Sequence, residues 1–158
     1  MKEHGTMHSN NIKENNYFTF ALMIFLSFVS MYFLMYSMVN VLGNVYNSLN
    51  QLYMALLMTM PMIILEMFLM RKMYSNKSLN TLIVIIAILV FFISWFGIRN
   101  QLAINDEEFI KSMIPHHAGA ILMCENATLS KKELQDLCAG IISGQQEEID
   151  QMKTWLNN

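Results

Sequence analysis

Apolar residues in this chain come first in long runs and then at helical intervals. Residues 17–41, YFTFALMIFLSFVSMYFLMYSMVNV, carry no charge. Residues 49–70, LNQLYMALLMTMPMIILEMFLM, carry one, Glu66. Residues 79–98, LNTLIVIIAILVFFISWFGI, carry none. Each run approaches or exceeds the roughly 20 residues a helix needs to cross a bilayer. The pattern predicts an all-α protein with a three-span membrane domain over residues 17–98, preceded by a polar tail, residues 1–16. The first run is read as a retained anchor, because it follows that tail and no small-residue cleavage site follows it. Pro61 predicts a kink in the second span.

After Arg99 charges return at helical spacing, which predicts a water-exposed domain over residues 99–158. Asn105 and Asp106 form an N-cap pair with Glu107 and Glu108 in the first turn. The apolar side continues through Phe109, Met113, His116 or His117, Ala120, and Met123 or Cys124. Pro115 either kinks this helix or starts a second segment. Ser130 and Glu133 read as a capping box, with a new helix from about Lys131. Its apolar side runs Leu134, Leu137, Cys138, Ile141, Ile142, Gln145, Ile149, Met152, and Trp155 or Leu156. Folding the pair about Leu129 gives an antiparallel hairpin, with Met113 level with Gln145 and the two histidines facing a stretch that holds Gln145 and Glu148. A Cys124–Cys138 bridge is feasible there but not demanded. A hairpin of about fifty residues encloses little core. A second copy completing a four-helix bundle is therefore expected, making the protein a homo-oligomer.

Composition fits this layout. The 158 residues are 54% hydrophobic and 14% charged, with a mean hydropathy of +0.35. Net charge is −2, so nothing favours nucleic acid as a partner; the lipid bilayer is the expected one. The loop at 42–48 has no Lys or Arg, whereas Arg71, Lys72 and Lys77 lie between the second and third spans and Lys2 and Lys13 in the tail. The positive-inside rule then places the N-terminus in the cytoplasm and the C-terminal domain outside. In a bacterium the membrane would be the inner (cytoplasmic) one and the domain periplasmic or extracellular, where disulfides are permitted. Tyr32, Tyr36, Tyr46, Tyr53 and Tyr74 are placed mostly near interfaces, as an aromatic belt. Glu66 is placed near the cytoplasmic face, within reach of the interface.

Chemistry concentrates in MIPHHAGAILM, residues 113–123, with two of the four histidines and two of the 16 methionines. Met113 and His117 are four apart and Met113 and His116 three, so a thioether and an imidazole share a helical face. Soft thioether with borderline imidazole suits Cu(I), and suits hard ions or zinc poorly. The competing reading is core packing and hydrogen bonding within the hairpin. No nucleophile–base pair, phosphate loop or paired Glu-x-x-His motif appears, so no enzyme is expected.

The run FIKSMIPHHAGAILMCENA…KKELQDLCAGIISGQQEEIDQMKTWL resembles the domain-of-unknown-function 305 family. The likeness rests on Phe109, Met113, Pro115, His116, His117, Ala120, Met123, Glu133, Leu134, Gln145, Glu148, Ile149 and Met152, and spans residues 105–156. It implies a periplasmic copper-handling or copper-tolerance protein built on a ferritin-like helical bundle. The implied Cu(I) ligands are Met113, His116, His117, Met123 and Met152, supported by Gln145 and Glu148; Ag(I) would mimic the ion. A copper transporter or chaperone is the implied partner. The membrane half, with MYFLMYSMVN and YMALLMTMPM, is similar to a membrane-anchored branch. Many members carry the histidine hairpin twice and this chain carries it once, which again favours an oligomer.

Two further sets complete the inventory. Met31 and Met35 on the first span, with Met54, Met58 and Met62 on the second, could relay Cu(I); packing is the competing account. Met35 is expected to face Met54, and Met31 to face Met58. His4, Met7 and His8 in the tail could bind copper weakly, with a disordered tail as the alternative. The reading as a whole is a membrane-anchored Cu(I)-binding protein, and its rival is a metal-free membrane protein whose hairpin mediates assembly.

Overall fold

A computed structural model describes the backbone of residues 4–157 and the side chains of residues 16–157. It contains α1 (His4–Leu34), α2 (Leu49–Leu69), α3 (Lys77–Asn100), α4 (Asp106–Asn126) and α5 (Lys132–Leu156), with short 3-10 turns at Met35–Met38 and Leu42–Asn44. Among the described residues there is no strand. Three segments are long and apolar enough to cross a membrane: Asn16–Met38, Leu49–Leu69 and Lys77–Asn100.

Two boundaries differ from expectation. The first helix starts at His4, so most of the polar tail is helical. Adding a turn to an existing helix is far easier than nucleating one, and this stretch has no proline to stop it. The side chains of His4, Met7 and His8 lie outside the described residues. At its other end the α-helix stops at Leu34, well before Val41. The apolar residues beyond Leu34 serve a different core, described below.

The chain divides into two compact units. The first comprises Met1–Tyr32 and Tyr53–Asn100. Phe20, Met60, Ile63, Met67, Tyr74 and Ala87 form its buried cluster. Large apolar residues such as Phe25, Leu26, Phe68, Leu89, Phe92 and Ile93 remain exposed, as lipid-facing side chains would be. Gly97 allows close packing, because a Cβ there would lie 3.0 Å from the Tyr53 ring. Tyr74 is buried: its ring packs on Tyr17 and Phe20, and its hydroxyl donates to Glu66 Oε1 at 3.2 Å. The Tyr17 hydroxyl donates to Asn80 Oδ1 at 2.7 Å, and Asn80 Nδ2 to the Tyr74 carbonyl at 2.8 Å. This network gives Glu66 a partner inside the unit.

The second unit joins Phe33–Leu52 to Gln101–Asn158. Asn105 caps α4, its Oδ1 accepting from the Glu108 N–H at 2.8 Å, with Asp106, Glu107 and Glu108 complementing the helix dipole. The helix runs through Pro115 without a break, at the cost of one backbone hydrogen bond. The capping box does not form. Lys131 is the N-cap of α5 and makes no side-chain cap, so Ser130 and Glu133 each sit one position away from the geometry the box requires. Cys124 and Cys138 are joined in a disulfide, with Cα atoms 5.2 Å apart.

The core of the second unit is Ile114, Ala118, Ile121, Ile149 and Met152, packed with Ile110, Met113, Ile142 and Leu156 of the hairpin. Val39 and Tyr46 pack on it too, although both come from the connection between the first two spans. That segment is pinned by hydrogen bonds. The Leu49 N–H donates to Glu108 Oε2 at 2.6 Å, and Asn50 exchanges amide hydrogen bonds with Gln101 at 3.0 and 3.2 Å. Asn50 Nδ2 also donates to Ser112 Oγ at 3.3 Å. The connection between the first two spans thus covers part of the hairpin's apolar face within one chain.

Candidate functional site

The open end of the hairpin contains a groove of about 850 Å³. On α4 it is lined by Asp106, Glu107, Phe109, Ile110, Met113 and His117. From α5 come Glu148, Gln151, Met152, Trp155 and Leu156. The floor is apolar and carries two thioethers and one imidazole. The rim is acidic, but Glu107 is already paired with Lys111 four residues on. That hydrogen bond from Lys111 holds the ammonium pKa above its ordinary value.

His117 is 7% exposed, and both its ring nitrogens are engaged. Nδ1 lies 2.9 Å from the Met113 carbonyl oxygen, which can only accept, so Nδ1 carries a hydrogen. Nε2 lies 2.7 Å from Glu148 Oε2. A carboxylate also accepts, so the pair must hold a proton between Nε2 and Oε2. The backbone bond fixes the ring's orientation and reserves Nε2 for whatever stands opposite. Metal-binding imidazoles are prepared in this way, with the second nitrogen donated to a carbonyl or carboxylate.

The expected site residues separate. Met113, His117, Glu148 and Met152 meet at the groove. His116 is exposed and does not line it, because consecutive helical residues point about 100° apart. Met123 is 55% exposed near the closed end of the hairpin, and the half-buried Gln145 also lies outside the lining set. Spacing could not separate Met113 from Met123, nor one histidine from the other. In the sequence Phe109 stands out as an apolar-face position and as part of the family likeness, and Trp155 as one end of a stripe. Their place on the groove wall became visible once the two helices were paired.

Among the described residues no group of three or more His, Cys, Asp or Glu side chains is arranged to hold a metal ion. A metal in this groove would depend on the thioethers. In the first unit, Met31 Sδ accepts from the Thr59 hydroxyl at 3.6 Å, next to the expected Met58 register. Met54 and Met58 are each 42% exposed. Met62 is half-buried, and Met35 belongs to the second unit.

These features define an all-helical protein with three membrane-compatible helices and a disulfide-pinned hairpin carrying an imidazole–thioether groove. The chain belongs to the family described as Domain of unknown function (DUF305), whose model matches residues 66–157. That match reaches upstream of the hairpin and takes in all of α3. The chain is also 34% identical over 139 residues to an uncharacterized protein of Acanthamoeba polyphaga mimivirus, covering 86% of this chain and 90% of the relative. No solved structure matches.

Proposed function

We propose that this protein binds Cu(I) in the groove of its C-terminal hairpin and handles copper at the outer face of a membrane. The observation that supports this best is the ring of His117. Its Nδ1 is tied to the Met113 carbonyl, and its Nε2, held by Glu148, is the nitrogen that remains for a metal in the groove that Met113 and Met152 line. His117 Nε2 and the two thioethers are the proposed ligands, and this soft set favours Cu(I), with Ag(I) as its mimic. Glu148 Oε2, 2.7 Å from Nε2, must release that nitrogen before a metal can take it. His116 and Met123 are outside this set.

The topology proposed has the N-terminus in the cytoplasm and the hairpin outside, which in a bacterial cell is the periplasmic side of the inner membrane. Two observations support it. Residues 33–52 and 101–158 form one unit, so both must lie on the same side, as three crossings require. The Cys124–Cys138 disulfide fits an oxidising compartment.

A second reading is favoured by Phe109 and Trp155 on the groove wall, 50% and 61% exposed. They would suit a metal-free groove that receives another copy of the chain or a transporter. A Cu(I) competition titration on the detergent-solubilised protein separates the two. In the copper reading His116→Ala binds as wild type, and Met113→Leu loses affinity with the fold kept. His117→Ala loses more than the roughly 100-fold typical of an outer-shell change. Equal affinity in all four proteins would leave the assembly reading.

A further inference from the structure

The groove leaves both cysteine sulfurs of the hairpin without a chemical role. Cys124 and Cys138 lie toward its closed end, on different helices, with Cα atoms 5.2 Å apart. Cys124 is seven residues beyond His117, about 10 Å along the helix at 1.5 Å per residue. Both cysteines are half-buried rather than enclosed, so a small reductant can reach them. Neither belongs to the buried cluster of Ile114, Ala118, Ile121, Ile149 and Met152, so opening the bridge leaves that core in place.

We propose that Cys124 and Cys138 form a second, redox-gated site for a soft monovalent cation, closed as a disulfide and open as a dithiol. The gating step is thiol–disulfide exchange. An external dithiol supplies two electrons and two protons, the S–S bond breaks, two thiols form, and the reductant leaves as its own disulfide. Binding then displaces one proton from each thiol, because the thiolate is the ligand. Two thiolates suffice for Cu(I) or Ag(I), whose affinity follows ligand softness. They do not suffice for structural zinc, which takes four ligands. With metal–thiolate bonds of about 2.3 Å, sulfurs roughly 4.6 Å apart can hold one ion between them. Side chains on backbones 5.2 Å apart span that distance by rotation at Cβ. The site is independent of His117.

The test is an Ag(I) titration of the full chain in detergent. One sample stays oxidised; the other is reduced with a phosphine, which takes its oxygen from water, and desalted under nitrogen. Reduction is expected to add one equivalent of bound Ag(I), in wild type and in His117→Ala alike. The added equivalent should vanish in Cys124→Ser/Cys138→Ser, and in reduced wild type whose thiols have been alkylated. Alkylation serves as the check that does not depend on how the double variant folds. An unchanged stoichiometry on reduction overturns the proposal. So does an added equivalent that survives alkylation, or one that disappears with His117. Binding in the oxidised sample reports on donors other than the dithiol, so the two sites succeed or fail separately.

Discussion

At the scale of single residues, a difference of one position along α4 separates two histidines with identical chemistry. His117 is held by Met113 and Glu148, while His116 is exposed. Replacing Glu148 by Gln keeps the shape but removes the charge opposite Nε2. A metal at Nε2 must displace that charge-assisted hydrogen bond, so Cu(I) affinity should rise in the variant, and the same competition titration would measure it. Tyr74 carries a prediction of its own. Burial, then the nearby Glu66, raises its pKa above the usual 10.0. Its neutral form is favoured in the folded state, so its contribution to stability is present below pH 10 and is lost as pH rises through the higher folded value. In a spectrophotometric titration of phenolate, Tyr74 should ionise late, and Tyr74→Phe should remove that step. Residue chemistry was legible in the sequence where it depends on composition, as in the pairing of thioether with imidazole. Facing was not legible. Met113 and Met123 are equally good candidates on one helix, and only α5 decides between them.

At the scale of elements, local signals fared better where one helix end settles the matter. Asn105 caps α4 as its position predicts, and Asn105→Ala should cost about 1 kcal/mol in chemical unfolding of the second unit. The Ser130 signal failed because α5 starts one residue later than the box requires. The junction of α3 and α4 was not foreseen at all. Gln101 and Ala103 adopt φ of 50° and 58°, the left-handed region that costs an ordinary residue roughly 1–2 kcal/mol. Gln101 is held there by its double amide bond to Asn50. Ala103 has only a methyl group, so Ala103→Gly should raise stability by up to about 1 kcal/mol, read as a higher midpoint in the same unfolding experiment. No sequence pattern signals a left-handed alanine, because the conformation is imposed by what the flanking helices require.

For the molecule as a whole, the three apolar runs were legible because length and composition alone define a membrane-compatible helix. The discontinuous second unit was not. Val39 and Tyr46 continue an apolar stretch in the sequence, and only their packing on the hairpin assigns them to a different core. Reducing the disulfide tests the hairpin's stability directly. The bridge closes a loop with a separation of 14, for which chain entropy gives about 3 kcal/mol. Thermal unfolding of the reduced protein should move down accordingly, followed by circular dichroism. A peptide beginning at Gln101 should do worse than the full chain in a different respect. It lacks Val39 and Tyr46, so it should bind a hydrophobic dye that the intact protein excludes.

That split unit also sets an order of events during synthesis. Its first piece leaves the ribosome before the second and third spans exist, and its last piece comes at the very end of the chain. On the proposed three-span topology, the hairpin cannot reach its final state until α2 and α3 have been made and their intervening loop left on the opposite side. A span inserted the wrong way round would strand residues 33–52 away from their partner and leave the apolar face of α4 bare. The unit thus reports on its own insertion: correct threading is built into what the hairpin needs in order to close, and a misthreaded chain presents the exposed surface by which quality-control proteases recognise failure.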